Sequence, residues 1–300
     1  MQVVPIASDS LGVRSMCTQV ITDDVKILID PSVAIAPKRF GRPPHAMEIN
    51  RMNELWEKIL GLSKESDILI ITHYHLDHYS LDEPSQFKDK LLYIKHPFEN
   101  INFSQRTRAW NFLKTIKDIP KKIEHSDGKE VKFGNTLLKF SKAVYHGNSN
   151  KLGYITEVFI QEGKDKFLYT SDTEGPCVED QMNFILENKP NIIFCDGPLS
   201  YLLGWKFSDE DLKKSIENMK KIISEVKPKI FIIDHHLLRE GKWKETIKEV
   251  LELAEKKGTK IQTVAEFLGK PIDQLEVRRA KLFKEFPNME ATPKKTFTGE

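Results

Sequence analysis

The sequence predicts a mixed α/β fold, and three observations carry that prediction. Ile68–Ile71 is an apolar, largely β-branched run that reads as a buried strand. The first half of the chain is rich in short strand-like runs with helices among them. From Glu179 onward, strand patterns alternate with amphipathic helical ones.

In order, Val3 to Ile6, Cys17 to Ile21 and Lys26 to Ile29 read as strands, with a turn at Ser8–Gly12. The third strand runs into Asp30-Pro31, where a carboxylate serves equally as turn former or site residue. Ala36–His45 is a basic, proline-rich loop. It reads as a solvated surface loop first, and second as a rim that attracts an anionic substrate through Lys38, Arg39 and Arg42. Glu48 to Leu60 is an amphipathic helix with Met52, Leu55, Trp56, Ile59 and Leu60 on its core face and Gly61 as its stop.

After Ile68–Ile71 and a polar segment come a strand at Leu91 to Ile94 and a helix at Asn102 to Ile116. Trp110, Leu113 and Ile116 are expected on the buried side of that helix, and its basic residues on a solvated face. Glu130–Phe133 and Thr136–Phe140 flank Gly134-Asn135 as a hairpin, whose second strand is expected to run on through Tyr145 to His146. A further hairpin over 152–169 ends at Ser171-Asp172. Helices at Glu179 to Asn188, from Ser208 and from Trp243 alternate with strands at Asn191 to Cys195, Lys229 to Ile233 and Lys260 to Thr263. A helix at Gln274 to Phe286 closes the pattern. Residues 1–290 read as a single domain, and Ala291–Glu300 as a loose tail with little to bury.

The chemistry concentrates in Thr72–Ser80. Here a buried strand delivers His73, His75, Asp77 and His78, a third of the chain's nine histidines within six positions. In an extended conformation His73 and His75 point the same way. Imidazole and carboxylate ligate zinc, and also suit iron or manganese. A merely polar, histidine-rich loop is the bland alternative, and the density of the motif weighs against it.

Bulk composition narrows the classes. The chain has 300 residues, 39% of them apolar and 30% charged, with a net charge of +2. That balance disfavours a general nucleic-acid binder. High Lys and Glu content suits a heat-adapted intracellular protein. Cys17, Cys177 and Cys195 form no CxxC pair, so no thiolate zinc site is readable and buried apolar roles are expected. The N-terminus has no signal-peptide pattern and no apolar run reaches membrane-spanning length. A cytoplasmic location without membrane partners is therefore expected.

The motif His73-x-His75-x-Asp77-His78 resembles that of the metallo-β-lactamase superfamily. Strand-end residues from Asp30 to His235 match in the family's order. The turn Asp196-Gly197-Pro198 and the pair His235-His236 resemble, more narrowly, the archaeal UPF0282 family. The resemblance implies a four-layer αββα sandwich and a dinuclear site for two divalent ions, zinc foremost and iron or manganese as alternatives. It implies that His73, His75 and His146 hold one ion, that Asp77, His78 and His235 hold the other, and that Asp172 bridges them. Asp30 is implied as a residue that orients ligands. His236 is the alternative last ligand, or contacts ligands or substrate. The superfamily often has Gly-Asp-Thr where this chain has Ser171-Asp172-Thr173, which puts the local turn in doubt.

The implied function is a metal-dependent hydrolase in which metal-activated hydroxide attacks a small-molecule ester, thioester, lactone or phosphodiester, with Asp77 assisting proton transfer. Alternatives are a phosphodiesterase or nuclease, a di-iron redox protein, and a non-catalytic metal-binding scaffold. Asn148, Tyr201, Trp205 and Arg239 are pocket-lining candidates that the sequence leaves unassigned.

Overall fold

A computed structural model describes residues 1–297. Two sheets face each other across a shared core. The first contains β1 (Gln2–Pro5), β2 (Thr18–Ile21), β3 (Lys26–Ile29), β4 (Ile68–Ile71), β5 (Leu91–Ile94) and β6 (Lys122–His125), in that spatial order. β1, β2 and β3 pair antiparallel, and β3 to β6 pair in parallel. The second sheet begins with β7 (Glu130–Phe133) and β8 (Thr136–Phe140). A separate two-stranded ribbon, β9 (Val144–Tyr145) and β10 (Tyr154–Ile155), follows. The second sheet then continues with β11 (Val158–Glu162), β12 (Asp165–Tyr169), β13 (Ile192–Asp196), β14 (Ile230–Asp234) and β15 (Lys260–Gln262). Its spatial order is β15-β14-β13-β12-β11-β8-β7.

The alternation of strand side chains builds the layers. Ile68 and Ile70 of β4 join Phe167, Tyr169, Phe194 and Ile232 of the second sheet in the central core. Leu69 and Ile71 point the other way, against α1 (Ala46–Glu65) and α2 (Phe103–Ile116), through Met52, Trp56, Ile59 and Phe112. Phe231 and Ile233 of β14 face outward onto the helical layer formed by α3 (Glu179–Asn188), α4 (Asp209–Glu225), α5 (Trp243–Thr246) and α6 (Lys248–Lys257). Short α7 (Val264–Phe267) and α8 (Leu275–Glu285) complete the chain. Helices outside two packed sheets make the four-layer αββα sandwich, the metallo-β-lactamase fold. Among the described residues, no helix is long and apolar enough to cross a membrane.

Several expectations need correction. Gly61 does not stop α1, which runs on to Glu65. Gly61 lies on an open face where a Cβ would meet nothing, so it weakens the helix without ending it. Trp110 is 53% exposed, because α2 presents Ala109, Phe112 and Ile116 to the sheet instead. β8 ends at Phe140, and His146 is delivered by the separate ribbon. β6 and α7 were not expected. The tail is not loose up to Phe297. Lys295 is 3% exposed, its ammonium sits 3.7 Å from Asp82 and lies over the Trp56 ring, and Phe297 packs against the outer core. Residues 298–300 of that expectation lie outside the described residues.

Candidate metal centre

Parallel strands place their C-terminal ends together, and those ends carry the candidate residues. β3 leads into Asp30, β4 into Thr72–His78, β12 into Ser171-Asp172, and β14 into His235-His236. Three of these exits turn sharply. Asp30, Ser171 and His235 adopt left-handed backbone conformations, with φ of 49°, 55° and 61°. A non-glycine residue there is strained, and such strain is kept where surrounding bonds enforce it. At Ser171 the enforcement is visible. Its hydroxyl lies 2.6 Å from Thr72 Oγ1 and 3.3 Å from His73 Nδ1. Serine thus keeps the turn that glycine would adopt freely, and adds a polar contact to the first histidine.

The residues implied for the two halves of the site do meet. Ligand-type atoms of His73, His75, His146 and Asp172 lie within 4.8 Å of one another, as do those of Asp77, His78 and His235. Asp172 stands between the halves. Its Oδ2 is 3.5 Å from His73 Nε2 and 3.2 Å from His146 Nε2, while its Oδ1 is 3.0 Å from His78 Nε2 and 3.5 Å from His235 Nε2. His235 Nε2 is also 3.6 Å from Asp77 Oδ2. His236 joins Asp172 and His235 in a third grouping, but not Asp77 and His78.

The Nδ1 atoms of His78, His235 and His236 are hydrogen-bonded to carboxylates. His78 Nδ1 lies 2.7 Å from Asp30 Oδ2, and Asp30 also accepts from the Thr72 amide and the Tyr169 hydroxyl. His235 Nδ1 lies 2.8 Å from Asp9 Oδ2. His236 Nδ1 lies 2.9 Å from Asp196 Oδ2. Glu174 Oε1 faces His146 Nδ1 at 3.4 Å. Such partners fix ring orientation and tautomer. Sequence reasoning found Asp30 but missed Asp9 and Asp196 in this role. Arg239, which it left unassigned, lies against His235 and Asp77, with Nη2 at 3.2 Å and 3.6 Å. Of its other pocket candidates, Asn148 donates to Asp211 at 2.8 Å, and Trp205 is 76% exposed.

This donor set fits a divalent cation. His73 Nε2, His78 Nε2 and Asp172 Oδ1 are enclosed and have no hydrogen-bond partner. The close approach of His78 Nε2 to Asp172 Oδ1 therefore lacks hydrogen-bond geometry, as expected of two ligand atoms aimed at a common third point. Burial, reinforced by His78, holds the His73 imidazole well below its ordinary pKa and so in its neutral, ligating form. Burial opposes ionisation of Asp172, yet His78 and His235 hold its carboxyl well below the usual range.

No family model matches the chain. A UPF0282 protein of Korarchaeum cryptofilum is 44% identical over 288 residues, covering 96% of each chain. Among solved structures, the isothiocyanate hydrolase from Delia radicum gut bacteria is similar with a TM-score of 0.54 at 17% identity, over 88% of this chain and 95% of that one. Unliganded yeast PDE1 is similar with a TM-score of 0.52 at 15% identity, over 87% and 96%. These structural likenesses are likenesses of fold.

Proposed function

The chain belongs to the UPF0282 family, and on that premise we propose that it is a metal-dependent hydrolase working through a dinuclear centre. His73, His75 and His146 would hold one divalent ion, and Asp77, His78 and His235 the other. Asp172 would serve both. Zinc is the first choice for this imidazole–carboxylate set. When bound, such ions supply a Lewis acid and a water acidic enough to ionise near pH 7.

The chain's own residues do the positioning. Asp30 and Asp9 hold the His78 and His235 rings through Nδ1, leaving Nε2 of each toward the cluster. Ser171 and Thr72 hold His73 through its Nδ1. Asp77 sits at the rim, 3.6 Å from both His235 Nε2 and Arg239 Nη2, where a carboxylate can hold or pass a proton. His236, fixed by Asp196, is a candidate contact to substrate beside the cluster.

The single observation behind this reading is the placement of Asp172, one oxygen toward His73 and His146 and the other toward His78 and His235. The test is turnover of a panel of ester, thioester, lactone and phosphodiester substrates by metal-loaded protein, compared with His75→Ala. Hydrolysis of one class, abolished in the variant, is the expected result. Two bound iron ions with O₂ consumption would replace the reading by a redox one. Full metal loading with no turnover would leave a scaffold.

A further inference from the structure

The end of the chain is built into the turn that carries Asp77. That turn is closed by the His78 and Tyr79 amides, which both donate to the His75 carbonyl, at 2.9 and 3.2 Å. The next carbonyl, that of Leu76, accepts from the Ser32 hydroxyl at 2.7 Å and from the Lys295 ammonium at 3.5 Å. Lys295 Nζ also donates to the Thr296 carbonyl at 3.2 Å and stands 3.7 Å from Asp82 Oδ2. Asp82 accepts from the Ser80 hydroxyl at 2.6 Å and from the Thr296 amide at 3.1 Å. Lys295 and Thr296 therefore hold both flanks of the turn, one at Leu76 and the other through Asp82 and Ser80.

The segment that brings Lys295 there is anchored on α1. Asn53 donates from Nδ2 to the Thr292 carbonyl at 2.9 Å and accepts at Oδ1 from the Lys294 amide at 2.8 Å, and the Lys294 ammonium pairs with Glu57. Packing alone does not require a lysine at position 295. Its side chain is enclosed against the Trp56 ring, where a methionine would fill the space without desolvating a charge. The partners of the ammonium show what the charge does. The Leu76 carbonyl belongs to the peptide that joins Leu76 to Asp77, and a peptide is planar. Fixing its oxygen fixes the plane from which Asp77 departs, and with it the reach of a carboxylate that stands 3.6 Å from His235 Nε2. Asp82 offsets the ammonium, so the grip adds no net charge beside the centre.

We propose that Lys295 is a positioning residue for Asp77: by holding the Leu76–Asp77 peptide, it couples docking of the C-terminal segment to metal binding by Asp77, His78 and His235. The proposal rests on the dinuclear reading above. Coupling between two binding events is reciprocal. A docked segment that tightens this half of the centre must itself be held more tightly when the half is filled. A segment docked for the fold alone has no such dependence, because a terminal segment opens locally without the whole chain unfolding.

Two measurements test this. The first is zinc affinity of wild type and Lys295→Met by competition with a chelating dye. The substitution is expected to weaken one of two zinc equivalents by at least about fivefold more than the other. The second is hydrogen exchange of the Lys294 and Thr296 amides in wild type, with and without zinc. Zinc is expected to slow both amides by at least about fivefold. This second measurement needs no substitution, and it carries the test if Lys295→Met does not fold. Two equivalents in the variant that both match wild type, or that weaken by the same factor, overturn the proposal and leave the dinuclear reading intact. Exchange of the two amides that is indifferent to zinc does the same. A wild type that binds no zinc overturns the dinuclear reading, and the positioning role with it.

Discussion

His78 Nδ1 lies 2.7 Å from Asp30 Oδ2, joining fully buried side chains 48 positions apart in sequence. The bond commits one ring nitrogen and leaves the other facing Asp172. Asp9 does the same for His235. Two histidines of the same implied metal-binding half thus have their orientation set by carboxylates outside the cluster.

Replacing that carboxylate should loosen the metal without emptying the site. Asp30→Asn is expected to lower metal affinity by about 10- to 100-fold, because an amide cannot accept from the Thr72, Tyr169 and His78 donors together. Competition with a chelating dye measures this. Affinity equal to wild type would mean that Asp30 serves only the fold.

Ser171 separates strain from function. Ser171→Gly should relieve left-handed strain of roughly 1–2 kcal/mol and lose a hydrogen bond worth about 1 kcal/mol. Metal-free stability is therefore expected to change by no more than about 1 kcal/mol, while metal affinity falls several-fold as His73 loses a fixing contact. Denaturant melts paired with metal titration check both. Unchanged metal affinity would show that the hydroxyl does not matter to His73.

Glu157 gives a pH signature away from the cluster. It is fully buried, neither carboxyl oxygen has a hydrogen-bond partner, and burial pushes its pKa well above the ordinary value of 4.5. Below pH 4.5 it is protonated whether the chain is folded or not. As pH rises above that, the unfolded chain releases the proton while the folded chain keeps it, so stability falls by about 1.36 kcal/mol per pH unit until the folded group itself titrates. Glu157→Gln mimics the protonated form at every pH. Its advantage in melting temperature over wild type should be small near pH 4 and grow toward pH 7. An advantage that does not vary with pH would show that Glu157 ionises freely in the folded protein.

Metal should also stabilise the chain. Zinc at a hundredfold excess over its Kd adds about 2.7 kcal/mol to a folded state that alone binds it, a rise in melting temperature on the order of 5 °C for a chain of this size. Excess chelator should abolish the rise and re-addition of zinc restore it. A melting temperature indifferent to both treatments would count against a metal held by buried groups.

How far the sequence reached follows from the range of each interaction. His73, His75, Asp77 and His78 were legible because one strand and one turn deliver them. The orienting roles of Asp9 and Asp196 were not, since Asp9 meets His235 across 226 positions and no local pattern encodes that meeting. Asp9 sat in a stretch read only as a turn, and it forms a short 3-10 turn with Ser10 and Leu11. β6 escaped because Lys122–His125 is a partly exposed edge strand without clean alternation. Trp110 was assigned to the core on hydrophobicity, whereas helix phase turned it to solvent above Lys114. Buried strands such as Ile68–Ile71 and Ile230–Asp234 were easy, because their apolar runs leave few alternatives.

The most direct measurement is elemental analysis of the protein after loading with excess zinc and removal of free ions, beside the double variant His73→Ala/His235→Ala. The account predicts close to two equivalents in the wild type and nearly none in the variant. A wild type that retains no zinc, iron or manganese, or a variant that retains as much as the wild type, would contradict it.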